Sequence, residues 1–287
     1  MGEAIDGKKI AQDIMGRLQL EVAELKKHGV RPSLAVLLNT ENPPSVVYVR
    51  KKEEACAQLG ITSTVLRYDS GIRQKRLEAL ISELNSDQKV NGVLLQLPVP
   101  KHLDEAAALN AIAPLKDVDG LTARGKAHYT PCTALAVEEI LKATTPLIGR
   151  MVIVGRSKLV GMPLALIMYD YPLLTVTVCH TGTSNIWQYT KEADILVAAA
   201  GVPGFITADM VKQGAVVIDV GTNSIKDESK KSGYRLVGDV RFEETKEKSY
   251  RITPVPGGVG LVTVASLMVN TVCAARLQMD TQLAGYG

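Results

Sequence analysis

The chain is short of the residues that mark several protein classes. Its 287 residues include 4 cysteines, Cys56, Cys132, Cys179 and Cys273, and no two of them form a C-x-x-C pair. Neither a disulfide framework nor a zinc ribbon is encoded. The 4 histidines, His28, His102, His128 and His180, stand far apart, so metal-ligand spacing is missing as well. Aromatics are scarce, at 9 Tyr, 2 Phe and 1 Trp, and they are scattered rather than interleaved with basic runs as a nucleic-acid stacking surface requires. Charge of one sign is lacking: 33 Lys plus Arg against 30 Asp plus Glu leave +3, a weak argument for a polyanionic partner. The basic pairs Lys8–Lys9, Lys26–Lys27, Lys51–Lys52 and Lys230–Lys231 lie far apart and read mostly as solvated faces. No uninterrupted apolar run reaches membrane-span length. The N-terminal Met-Gly-Glu-Ala-Ile-Asp-Gly-Lys-Lys puts charges where a signal peptide has its apolar core. The expectation is a soluble protein of a reducing compartment, cytoplasmic with mitochondrial placement left open, and with no metal, membrane or nucleic-acid partner.

What is present suits a large α/β protein. A hydrophobic content of 46% with 22% charged residues can bury a full core, and the length allows two domains. Ile10, Ile14, Leu18, Val22 and Leu25 keep one helical face, with Gly29 as a stop. Residues 34–38, 62–68 and 90–97 read as strands. Between them Ser45 is a candidate N-cap for a helix ending at Gly60, and Leu77, Leu80, Ile81 and Leu84 mark another helix. After the turn-rich Lys116-Asp117-Val118-Asp119-Gly120 and a helix around 133–142, a second alternation places strands at 151–155, 175–180, 194–200 and 215–221. Residues 264–277 read as an apolar helix that packs back on the first domain. The fold class is therefore α/β with two domains. The first is an N-terminal βαβ catalytic domain, residues 1–145, completed by the C-terminal helix in 264–287. The second is a Rossmann-like dinucleotide-binding domain, residues 146–263.

Four segments carry chemistry. In Met151-Val-Ile-Val-Gly155-Arg156-Ser157-Lys-Leu-Val-Gly161 a strand meets a tight turn and a helix start, whose backbone N–H groups suit a pyrophosphate. Ser157 stands where a full dinucleotide fingerprint has its second glycine. About 20 residues on, Thr175-Val-Thr-Val-Cys-His180-Thr181 offers no carboxylate for a ribose 2′-OH, while Arg156 supplies a cation; the combination favours NADP over NAD. Tyr48-Val-Arg-Lys-Lys52 puts a phenol and an amine one helical turn apart. By itself it reads as a surface helix, and although short-chain dehydrogenases carry such a pair, theirs follows the nucleotide-binding turn whereas this one precedes it. Gln96, closing the strand of Leu95 before Leu97 and Pro98, is costly to bury without a partner, and Asp119 reads equally as an Asx turn or a site residue. Thr253-Pro-Val-Pro256-Gly257-Gly258-Val259-Gly260 reads as a linker or as a backbone surface for a planar ligand.

These pieces occur in one order: Tyr48-x-x-x-Lys52, Asn91-Gly-Val-Leu-Leu-Gln96-Leu-Pro98, Lys116-Asp-Val-Asp119-Gly120, Pro131-Cys-Thr133, Gly155-Arg-Ser157 with Val160-Gly161, Val220-Gly-Thr-Asn223, Gly238-Asp-Val240 and Pro254-Val-Pro-Gly-Gly-Val-Gly260. Over nearly the whole chain the set resembles the bifunctional methylenetetrahydrofolate dehydrogenase/cyclohydrolase family. The resemblance implies a homodimer acting on tetrahydrofolate derivatives with NADP, in one-carbon metabolism and purine biosynthesis, with a folate cleft between the domains. It implies Lys52 as the central catalytic residue, with Tyr48, Gln96 and Asp119 beside it. Tyr48, Leu95, Gln96, Leu97, Asp119, Pro256, Gly257, Gly258, Val259, Gly260 and Thr263 would contact the folate. Gly155, Arg156, Ser157, His180, Thr181, Ala200, Gly201 and Thr222 would contact the dinucleotide. The chain departs from the family pattern in Gly260-Leu-Val-Thr263, Ala134, Thr181 and Thr222. The rival readings are another NAD(P)-dependent dehydrogenase of a small substrate, or a folate- or nucleotide-binding regulator without catalysis.

Overall fold

In chain order the elements are β1 (Glu3–Ala4), α1 (Gly7–Lys27), β2 (Ser33–Asn39), α2 (Pro43–Leu59), β3 (Thr62–Tyr68), α3 (Gln74–Ser86), β4 (Gly92–Leu95), α4 (Glu105–Asn110), α5 (Cys132–Thr144), β5 (Gly149–Val154), α6 (Gly161–Tyr169), β6 (Leu174–Cys179), α7 (Ile186–Thr190), β7 (Ile195–Ala198), β8 (Val216–Asp219), β9 (Asn223–Lys226), β10 (Tyr234–Val237), α8 (Phe242–Lys248), β11 (Arg251–Ile252) and α9 (Val259–Ala284). The structure, a computed structural model, describes residues 2–122, 128–229 and 233–284; the Lys230–Lys231 pair and residues 285–287 lie outside the described residues.

The chain divides into two compact units, Met1–Gln12 with Thr133–Thr263, and Asp13–Cys132 with Val264–Gly287. The sequence reading put the first boundary at 145/146 and gave the N-terminus to the catalytic unit. The difference has a structural cause: β1 pairs in parallel with β11, Glu3 opposite Arg251, so the first residues extend the six-stranded sheet of the other unit. Nothing in residues 3–4 announces a two-residue edge strand whose partner lies almost the whole chain away.

The unit built on residues 13–132 carries a three-stranded parallel sheet in the order β3-β2-β4. Every residue of β2 and β4 is buried, which accounts for their unbroken apolar runs. Leu77, Ile81 and Leu84 of α3 pack on this sheet with Ala35, Leu37, Val93 and Leu95. Helix α2 begins at Pro43, with Asn42 rather than Ser45 as its cap: Asn42 Oδ1 accepts the Ser45 N–H at 3.0 Å. Two prolines in the first helical turn need no N–H partner, so the helix starts earlier than the hydroxyl at Ser45 suggested. Gly60, at φ 66°, ends it in the left-handed conformation.

Helix α9 starts at Val259, not at 264, and by length and composition it could cross a membrane, with a mean hydropathy of 1.5 over its apolar window. Such a run was not apparent in the sequence because Thr263, Ser266, Asn270 and Thr271 interrupt it. From 264 onward the helix belongs to the three-stranded unit, where Leu267, Met268, Val272 and Ala275 are buried and Cys56 Sγ lies 3.6 Å from Met268 Sδ. Its polar residues are spent inside the protein. The buried Asn270 amide donates at 2.8 Å both to the Val118 carbonyl and to the Thr130 carbonyl.

The other unit holds a six-stranded sheet in the order β1-β11-β8-β7-β5-β6, parallel throughout. Its order reverses at β5, which has β6 on one side and β7 on the other, and ligands of such sheets sit at the carboxyl ends beside that switch point. The hairpin of β9 and β10 was not foreseen; its strands contain only exposed and half-buried residues and carry too little apolar signal.

Asn270→Ala removes both bonds that tie α9 to the segment around Val118. We expect a loss of about 2 kcal/mol, read as a lower urea midpoint with an unchanged m-value. An unmoved midpoint would refute the role given to this amide.

Candidate active site

Lys52 lies on the third turn of α2, and its Nζ donates to Gln96 Oε1 at 2.8 Å. Gln96 follows the last residue of β4 and continues the ladder through its N–H to the Leu37 carbonyl at 3.0 Å. Its amide is turned by a second bond, Nε2 to the Leu97 carbonyl at 2.9 Å, and that carbonyl also accepts from Ser45 Oγ at 3.2 Å. Oε1 is thereby aimed at the amine. Lys52 keeps some accessible surface, yet its amine is desolvated. Burial pulls its pKa below the ordinary lysine range, against the opposing pull of Asp119, Cys132 and Cys56.

Asp119 is pushed the other way. Burial raises its pKa, with Lys52 and a hydrogen bond from Cys132 opposing. Two neighbouring groups of opposite charge are each driven toward the neutral form, an arrangement suited to moving protons near neutrality. Asp117, two residues earlier, is structural: its carboxylate accepts from the Thr122 N–H at 2.9 Å and the Thr122 hydroxyl at 2.8 Å. Lys116 is structural too, buried with its Nζ on the Leu84 and Asp87 carbonyls. The turn-rich segment thus divides into one desolvated carboxylate beside the amine and two anchors, which sequence alone did not separate.

Tyr48 shares the helix face with Lys52, and burial raises its pKa. Among the described residues its hydroxyl makes no hydrogen bond to the Lys52 amine, and Lys51 Nζ stands 5.9 Å from the ring centroid. Leu95, expected at the folate, is 2% exposed, with its side chain packed in the sheet core. Cys132 was missed. Its Sγ donates to the Val118 carbonyl at 3.4 Å, and burial raises its pKa, which disfavours the thiolate that a nucleophile needs.

Pro256, Gly257, Gly258, Val259, Gly260 and Thr263 belong to the other unit. Val259 is buried and Thr263 Oγ1 bonds back to the Val259 carbonyl at 3.0 Å. Of the departures from the family pattern, Ala134 and Val262 are fully buried and Thr222 is exposed.

In the six-stranded unit a pocket of about 450 Å³ opens at the carboxyl ends of β5, β6 and β7, lined by Gly155, Arg156, Ser157, His180, Thr181 and Ala200 among others. Gly155 stands at φ 125°, and a Cβ there would strike the Ala199 carbonyl oxygen; a Cβ on Gly161 would strike the Gly155 carbonyl. Both glycines are therefore demanded by the closeness of strand, turn and helix. Thr183, Ile186, Val202 and Phe205 also line the pocket and were not anticipated, because they lie in loops with no periodicity. Gly201 and Thr222 are not among its lining residues. The Gly201 N–H is already committed to Asp239 Oδ2 at 2.7 Å.

Residues 5–119 match the family model "Tetrahydrofolate dehydrogenase/cyclohydrolase, catalytic domain", and residues 131–279 match its "NAD(P)-binding domain". The chain belongs to the tetrahydrofolate dehydrogenase/cyclohydrolase family. The bifunctional protein FolD of Brevibacillus brevis is 44% identical over 283 residues, spanning 96% of this chain and 97% of its own. Two solved members of the family are similar in structure: the bifunctional enzyme FolD of Campylobacter jejuni, with a TM-score of 0.89 at 40% identity over 96% of this chain and 99% of its own, and FolD of Trypanosoma brucei complexed with NADP cofactor and inhibitor, with 0.91 at 38% identity over 97% of this chain and 98% of its own. The family's two domain types thus correspond to the two chemistries found in the chain, a desolvated amine beside a carboxylate and a glycine-lined dinucleotide pocket.

Proposed function

We propose that the chain oxidises 5,10-methylenetetrahydrofolate to the 5,10-methenyl form with NADP and hydrolyses that product to 10-formyltetrahydrofolate. The observation that carries the reading is the Lys52–Gln96 bond at 2.8 Å, a desolvated amine held by one neutral acceptor. Neutrality matters because the methenyl group is a cation, and an ammonium beside it would repel it. With Gln96 Oε1 accepting one N–H, the lone pair of the neutral amine is free to take the proton of an attacking water and return it when the ring opens. Asp119 anchors the folate through the hydrogen-bond donors of its pterin. Tyr48 sets the ring's tilt, in keeping with its half-buried place one turn before Lys52.

NADP supplies the nicotinamide that accepts hydride, and the ring nitrogens of the folate stabilise the cation left behind, so the protein's task in that step is positioning. The pocket fits a dinucleotide: glycine at 155 and 161 leaves backbone where a Cβ would intrude, and the lining carries Arg156 and His180 but no carboxylate. That pattern favours a 2′-phosphate over a free 2′-hydroxyl.

The partner is a second copy of the chain. β3 is an edge strand of its sheet, and pairing with the same strand of a second copy would satisfy the backbone N–H and C=O groups along its outer side. Cytoplasmic placement is supported by four free cysteines, three of them buried.

Lys52→Gln is expected to lower cyclohydrolase turnover at least a hundredfold while hydride transfer persists in part; full turnover by this variant would end the proposal. In the unaltered chain cyclohydrolase activity rises with pH through the depressed pKa of Lys52, since the neutral amine is the working form. Gln96→Glu sets a carboxylate against the amine, favours the ammonium, and is expected to move that limb about 1–3 pH units upward; an unmoved profile would assign the limb to another group. Arg156→Ala is expected to raise the Kd for NADP about tenfold and leave that for NAD within twofold, and equal losses would reject the 2′-phosphate contact. Sedimentation equilibrium is expected to give twice the chain mass, reduced to one by Val65→Lys on β3; a monomer before substitution would refute the pairing.

A further inference from the structure

Beside the dinucleotide pocket two aspartates are buried side by side, and neither lines that pocket or bonds to the 155–161 turn. Asp219 ends β8 and is 3% exposed; Asp239 follows β10 and is fully buried. Asp219 accepts three backbone N–H groups, from Gly221 and Asp239 on Oδ1 at 2.9 Å each and from Val240 on Oδ2 at 3.0 Å. Asp239 accepts the Gly201 N–H on Oδ2 at 2.7 Å and Asn223 Nδ2 on Oδ1 at 2.8 Å. The surroundings are closed around both: a Cβ on Gly238 would overlap Asp219 Oδ2, and one on Gly221 would overlap Asp239 Oδ1. Buried carboxylates are expensive unless their acceptors are used. Here they are used to join three loops.

Those loops matter for the pocket. Ala199, Ala200 and Val202 line it, and Gly201 between them, at φ 68°, is the residue that Asp239 holds. Thr222 is exposed, and its neighbours Gly221 and Asn223 are tied to Asp219 and Asp239 respectively. We propose that Asp239, braced by Asp219, is a positioning residue for the dinucleotide: it holds the 199–202 loop and the turn at Thr222 in the shape that receives the cofactor. Gly201 and Thr222 then serve binding through this brace, the first without offering its own N–H. The inference rests on the reading that the pocket takes NADP.

The bifunctional reading supplies a control, because hydrolysis of methenyltetrahydrofolate uses no dinucleotide. NADP binding is measured by titration calorimetry, and cyclohydrolase kcat/KM by absorbance on the same preparations. Asp239→Ala is expected to raise the NADP Kd about tenfold, as when the binding-competent loop shape falls to about a tenth of the population, with cyclohydrolase kcat/KM within twofold. Asp239→Asn keeps one oxygen for the Gly201 N–H, and the Asn223 amide can turn to accept from the new NH₂; its Kd is expected within about threefold of the unaltered chain. Should Asp239→Ala fail to fold, Asn223→Ala removes the other end of the same bridge and is expected to raise the Kd severalfold. Unchanged NADP binding in Asp239→Ala or in its substitute overturns the inference, as does an equal fall in cyclohydrolase activity, or an Asp239→Asn as weak as Asp239→Ala. An unaltered chain that does not bind NADP removes the pocket reading and the inference together, whereas binding by the unaltered chain with an indifferent Asp239→Ala removes the inference alone.

Discussion

Desolvation of one amine is the constraint around which the catalytic unit is built. A lysine in water is charged, and a charged lysine would oppose the cationic intermediate of this chemistry. Burial reverses the preference, but an amine with no partner would be costly in turn. The Gln96 carbonyl meets that need without supplying charge, and the amide is held in orientation by the Leu97 carbonyl, itself shared with Ser45. A carboxylate at 96 would satisfy geometry equally and defeat the purpose. Asp119, raised by the same burial, completes a pair in which both members lean toward neutrality.

The dinucleotide unit solves a different problem, that of bringing backbone close to a ligand. Gly155 and Gly161 let strand, turn and helix approach to a distance that any side chain would prevent. Further back, Asp219 and Asp239 collect N–H groups that the carboxyl ends of the strands leave unpaired. Loops at such ends have no ladder to hold them, and a buried carboxylate with several acceptor sites can replace one. Burial and the neighbouring Asp239 push Asp219 up to about 6, opposed by the N–H groups it accepts.

Much of this was legible in the residues. The alternation of apolar strands and amphipathic helices announced parallel sheets, and the ordered motifs announced the family. Three kinds of feature were not legible. Short edge strands such as β1 carry too few residues for any period. The N-cap passed from Ser45 to Asn42 because two prolines start the helix early. Pocket residues such as Thr183, Val202 and Phe205 sit in loops, where neighbours in space are distant in the chain. Leu95 and Gln96 are adjacent in sequence, yet alternation along a strand turns the Leu95 side chain into the core, which adjacency alone does not reveal.

The sequence by itself determined which groups are available: an amine one helical turn from a phenol, an amide closing an apolar strand, and glycines where a strand meets a helix. Periodicity and local propensity act over a few residues, so the chain's order is sufficient to set them. Tertiary structure decided which of those groups lose water and which acquire partners. Lys51 and Lys52 are neighbours of identical chemistry, yet Lys52 alone is turned toward Gln96, 44 positions along the chain. Asp117 and Asp119 likewise differ by what folds around them, one capped by Thr122 and the other set beside the amine. Protonation state and hydrogen-bond partner depend on atoms brought together from distant segments, and only folding does that.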